Sequence, residues 1–121
     1  MLIYNMIEQK NPLILAFIGD AVQTLYVREK LYTQFYTVAS LHSQASKIIC
    51  AKAQAKKFDE KFEQFSEMEK DIANRARNAQ HHTVPKNCTL AEYHKATALE
   101  AVIGYNYLSG NHKRVRELAE C

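Results

Sequence analysis

The chain has 121 residues, enough for one globular core and too few for two, with 47% hydrophobic and 24% charged residues but only 2 Pro and 3 Gly. That composition excludes a disordered or low-complexity chain and favours helices over sheets, while a net charge of +3 is too mild to prove a polyanionic partner. No apolar run reaches the roughly 18 residues that span a bilayer and the N-terminus lacks a signal-peptide pattern, so the expectation is a cytoplasmic protein without a membrane partner.

Taken in chain order, the first strong signal is Asn11 followed by Pro12, an N-cap with Pro at the first helical position. It opens a long helix, LILAFIGDAVQTLYVREKLY, that is apolar on most sides and must be buried between helices or in a dimer interface. The helical pattern weakens over residues 33–39. Ser40 then starts a second helix to about Lys57, with Leu41, Ala45, Ile48 and Ile49 at helical spacing. Ser66 and Glu69 form a capping-box pattern for a third helix to about Ala79. After a loop, HHTVPKNC, Thr89 and Glu92 repeat the pattern and open a fourth helix, which Gly110 can end. A short basic helix follows from about Asn111. The expected architecture is an all-α bundle forming one domain over 1–121.

Charge is more informative in its distribution than in its sum. Basic residues collect in Lys47–Lys57, Arg75–Lys86 and His112–Arg116, while acidic ones concentrate between Asp59 and Asp71. Such clustering suits a face that follows a phosphate backbone, and suits ordinary solvated helix faces as well. Cys50, Cys88 and Cys121 are odd in number and far apart, which fits free thiols in a reducing compartment. His81 and His82 near Cys88 lack the further ligands of a zinc site and read as loop histidines. Tyr26, Tyr93, Tyr105 and Tyr107 fall at helical spacing and read as packing residues.

Two acids interrupt the two most apolar helices. Asp20 has Ala16, Phe17, Gln23 and Thr24 as helical neighbours, and Glu100 has Ala96, Thr97, Ile103 and Gly104. An unpaired carboxylate in apolar surroundings costs several kcal/mol, so each needs a cation or strong donors. A shared Mg2+ would serve both, since hard cations take oxygen ligands, and small neighbours leave room for a phosphate. Pairing with Lys or Arg, or capping a neighbouring helix, would serve as well, and spacing does not decide between them. Gly19 and Gly104 inside helices point to close helix approach, either around the acids or across a dimer seam.

FIGDAV at 17–22 resembles the ribonuclease III signature, and ALEAVIGYNYL at 98–108 resembles that family's second acidic helix. The start at Lys10, Asn11 and Pro12, the stretch RARNA at 75–79 and PKN at 85–87 resemble its Mini-ribonuclease III branch more narrowly. The resemblance covers nearly the whole chain. It implies a homodimeric all-α endonuclease, Mg2+-dependent cleavage of double-stranded RNA, and maturation of the large-subunit (23S) ribosomal RNA precursor. Asp20 and Glu100 match the signature and second-helix acids and are the expected catalytic metal ligands. The two further acids of full-length ribonuclease III fall here on Ala16 and Thr97.

The resemblance also leads us to expect no separate double-stranded RNA-binding domain, so the catalytic domain itself must grip the duplex. Lys52, Lys56, Arg75, Arg77, Asn78 and Lys86 are the candidates, because A-form RNA is read mainly through phosphates and 2′-hydroxyls. Arg75 and Arg77 cannot share one face of a regular helix, which leads us to expect fraying there. Two other readings remain open at this point. One is a non-catalytic RNA-binding or ribosome-associated protein, motivated by Ala16 and Thr97; the other is a helical protein-interaction module.

Overall fold

A computed structural model describes residues 7–79 and 86–120. Among them are six α-helices and no strand: α1 Pro12–Leu31, α2 Val38–Ile49, α3 Ala51–Lys61, α4 Glu67–Asn78, α5 Leu90–Leu108 and α6 His112–Ala119. His81, His82, Pro85 and Cys121 lie outside the described residues.

The expected helix boundaries hold where capping chemistry sets them. Asn11 accepts from the Leu13 amide at 2.9 Å, with Pro12 as the first helical residue. Ser66 with Glu69 and Thr89 with Glu92 each form a reciprocal capping box. Beyond α5, Gly110 takes φ +81°. The Gly110 amide bonds to Tyr107 O at 3.1 Å and the Asn111 amide to Asn106 O at 2.9 Å, a Schellman ending.

The expected single helix from Ser40 to Lys57 is instead two. Thr37 is the N-cap of α2, and the chain breaks at Cys50, whose ψ of 153° is extended. Neither Pro nor Gly marks this break, and the apolar spacing runs through it. The two halves pack on different partners, α2 on α1 and α3 on α5, so tertiary packing accounts for the bend. The expected fraying at Arg75 is also corrected, because α4 remains helical through Asn78.

Helix α5 is the central spine, packed against α1, α3, α4 and α6. Leu99, Val102 and Ile103 from it meet Leu15, Phe58, Ile72, Val115 and Leu118 in the main core. Val27, Leu31 and Ala45 make a smaller second core between α1 and α2. Helix α1, which the sequence reads as apolar nearly all round, buries one side only. Ile14, Phe17 and Leu25 stand 54%, 78% and 56% exposed, leaving an apolar stripe without a partner within the described chain.

One acid of the interior is structural. Glu69 is 4% exposed and accepts from the Ser66 amide, from Asn106 Nδ2 at 2.8 Å, and from Arg114 Nε at 2.9 Å. This network ties α4, α5 and α6 together. Burial by itself would raise the Glu69 pKa, but the bonds from Arg114, Ser66 and Asn106 outweigh it and hold the group below its ordinary value.

Candidate active site

The site forms where α1 crosses α5, and two glycines bring the helices that close. A Cβ on Gly19 would lie 1.7 Å from Glu100 O, and one on Gly104 would lie 2.0 Å from Leu15 O. Neither backbone atom can move aside cheaply, so both positions require glycine. Leu15 faces Gly104 while Gly19 faces Glu100, so the two helices run in opposite senses along the contact. Of the two readings open for these glycines, close approach around the acids is the one realised within the chain.

This crossing brings Asp20 and Glu100 together. Asp20 is exposed, whereas Glu100 is partly buried beside it. Burial, then a hydrogen bond with Asp20, then the Asp20 charge push the Glu100 pKa up to about 8, against a bond from Gln54 that lowers it. Gln54 Nε2 lies 3.3 Å from Glu100 Oε2 and donates to Gln23 Oε1 at 2.6 Å. A Lys or Arg partner, the alternative reading, would lower the Glu100 pKa; the neighbour that shifts it is instead another acid. Thr97 is buried and its hydroxyl donates to Tyr93 O at 3.0 Å, leaving only acceptor capacity on that oxygen.

Two clustered acids with no ion pair to a base among the described residues suit a hard divalent cation, which takes one or two carboxylates and completes its shell with water and phosphate oxygens. No group of three His, Cys, Asp or Glu placed to hold a metal occurs among the described residues. The donor set therefore fits a cation held by two carboxylates and leaves most of the coordination to solvent and substrate.

The candidate RNA contacts are placed in two groups. Lys52 and Lys56 are one turn apart on α3 and line an open groove with Lys47, Cys50, Asp59 and Lys95. Lys95, which the sequence reading passed over, bridges α5 to α3 through Asp59 at 2.9 Å. Arg75 and Arg77 point apart. Arg75 bonds Asp71 at 3.1 Å and Glu8 O at 2.5 Å, and the Arg77 guanidinium sits over the Phe58 ring at 5.6 Å. Asn78 and Lys86 are exposed. In the basic segment 112–116, Arg114 is committed to Glu69 and Glu117.

Gln23 and Gln54 were the site residues hardest to read in the sequence. Gln23 was visible as a helical neighbour of Asp20. Gln54 stands in a run of Ala and Lys, on a helix whose direction the break at Cys50 sets, and no local pattern marks it.

Comparison with known proteins agrees with this geometry. The model of the Ribonuclease III domain family matches residues 13–111. The chain is 43% identical over 111 residues to a Mini-ribonuclease 3 of Thermoanaerobacter sp. (strain X514), covering 91% of this chain and 78% of that one. It is 40% identical over 117 residues to a Mini-ribonuclease 3 of Staphylococcus aureus, covering 94% and 87%. A crystal structure of a Fusobacterium nucleatum protein superposes with a TM-score of 0.86 at 32% identity, covering 94% of this chain and 92% of that one. The acidic helices, the glycine-mediated crossing and these similarities converge: the chain belongs to the ribonuclease III domain family, in its Mini-ribonuclease 3 branch.

Proposed function

We propose that this protein is an endoribonuclease that cleaves double-stranded RNA with a divalent cation, Mg2+, held by Asp20 and Glu100. The observation that carries the reading is the acid pair at the α1–α5 crossing, whose Glu100 pKa is raised to about 8 by burial and by Asp20. An enzyme that maintains such a pair has a use for positive charge there. When bound, the cation would offset phosphate charge and make a water more acidic.

The protein's own residues do the rest. Asp20 and Glu100 must both be ionised to hold the cation, so Glu100 releases its proton on loading. Lys52 and Lys56 on α3 meet successive phosphates of the duplex, Asn78 contacts the backbone from the end of α4, and Lys86 contacts it from the turn before α5. Arg75 and Arg77 contribute only if RNA draws them from Glu8 and Phe58. The exposed stripe of Ile14, Phe17 and Leu25 is the surface through which a homodimer would form, bringing two sites to opposite strands. The large-subunit (23S) ribosomal RNA precursor is the natural duplex we favour, on the strength of the family resemblance, and it places the enzyme in the cytoplasm. No helix among the described residues is long and apolar enough to cross a membrane.

One observation favours a second reading, non-catalytic RNA binding: the site offers two acids and no third ligand among the described residues. The deciding experiment incubates a long labelled RNA duplex with the protein in Mg2+ or EDTA, beside Glu100→Gln. Cleavage in Mg2+ alone, lost in a folded Glu100→Gln, is expected. A duplex that is bound yet intact in both Mg2+ and Mn2+ would put RNA binding without catalysis first.

A further inference from the structure

Behind the two acids lie two amides that water scarcely reaches. Gln23 on α1 is 1% exposed and Gln54 on α3 is 4% exposed. Buried amides cost free energy unless bonded, and an apolar side chain of similar volume would fill the same space without that cost. The bonding that offsets it is directional. Gln54 Nε2 carries two protons; at 2.6 Å from Gln23 Oε1 one of them is firmly engaged, and this fixes the amide plane. The other is directed at Glu100 Oε2, 3.3 Å away. The contacts thus run from α1 through α3 to the acid on α5.

This arrangement addresses a weakness of a two-carboxylate site. A glutamate has three rotatable bonds, and its neighbour Asp20 repels it when both are ionised. A donor on one oxygen holds the group in place and leaves the other oxygen uncommitted to Gln54. Ligands of metals are commonly oriented by such outer hydrogen bonds.

We infer that Gln54, fixed in turn by Gln23, is a positioning residue that holds the Glu100 carboxylate ready for the divalent cation it shares with Asp20. The inference rests on the metal-dependent nuclease reading and adds to it how this chain orients a site with few acids. A purely structural glutamine pair would satisfy itself, and its loss would lower stability without touching cation affinity.

The test is Gln54→Met, which nearly keeps the volume and removes the donor. Mn2+ binding, read by paramagnetic resonance on the RNA-free protein, should weaken about tenfold relative to wild type. The Mg2+ concentration for half-maximal cleavage should rise by a similar factor, with the maximal rate largely recovered at high Mg2+. Duplex binding in EDTA should not change. Gln23→Met should shift Mn2+ affinity the same way by a smaller factor. If Gln54→Met melts below the assay temperature, Gln54→Asn withdraws the amide by one methylene and carries the same expectation. Wild-type Mn2+ affinity in a folded Gln54 variant overturns the inference and leaves the nuclease reading intact. Failure of the wild type to bind Mn2+ or to cut duplex RNA overturns both.

Discussion

Glu69 and Glu100 are both acids set into the interior of the helical bundle, and their surroundings are opposite. Glu69 is met by Arg114, Asn106 and the Ser66 amide, and its pKa lies below the ordinary value. Glu100 is met by another acid and one amide, and its pKa is raised to about 8. Burial alone would push both upward. The difference is made by the partners: one acid completes a structural joint among α4, α5 and α6, whereas the other is set beside a second acid with one amide donor. Burial of a carboxylate is therefore uninformative about function until its neighbours are known.

Removing the charge or the partner of each acid in turn is the way to test that contrast. The largest effect is expected on catalysis, where Asp20→Asn or Glu100→Gln should lower the cleavage rate on the order of a thousandfold, about 4 kcal/mol of transition-state stabilisation. Single-turnover assays at saturating RNA measure it, and a loss below tenfold would mean the acids do not hold the cation. Next in size is Arg114→Met, which leaves Glu69 buried without its cation and should destabilise the fold by about 3 kcal/mol in urea titration. The same variant, kept below its melting point, should cleave nearly as fast as wild type.

Smaller effects follow from pH. The lowered Glu69 pKa contributes stability that is present above the unfolded value near 4.5 and is lost as pH falls through its folded value. The melting temperature should therefore fall on acidification below about pH 4.5, and less so in Glu69→Gln. Glu100 carries the reverse sign. With a folded pKa of about 8 against 4.5 unfolded, stability is lost as pH rises between those values, because the unfolded chain gives up a proton that the folded carboxyl keeps. Cation affinity should strengthen over the same window and level off above pH 8, because loading must displace the Glu100 proton.

Much of the fold was legible because local chemistry wrote it. Asn11–Pro12, the two capping boxes and Gly110 each use a residue whose side chain or backbone freedom serves one end of a helix, and each stands where expected. The break at Cys50 was not legible, since it answers to what α2 and α3 pack on rather than to any residue in the bend. At the site, Asp20 and Glu100 stood out as acids in apolar helices, and the glycines beside them signalled close helix approach without separating this crossing from a dimer seam. The RNA candidates were less readable. Arg75 and Arg77 are two residues apart in a helix that stays regular, so one reaches Glu8 and the other Phe58. Gln54 became visible only when three helices were brought together.

The decisive measurement is the melting temperature of metal-free wild type and Glu100→Gln at pH 8, each repeated with saturating Mg2+. Glu100→Gln should melt higher than wild type without metal, by about 1–2 kcal/mol of added stability, because it removes a carboxylate whose charge is disfavoured first by burial and then by Asp20. Mg2+ should then stabilise the wild type and leave Glu100→Gln nearly unchanged. Equal melting of the two proteins without metal, with equal gains from Mg2+, would show that Glu100 is neither strained nor a cation ligand.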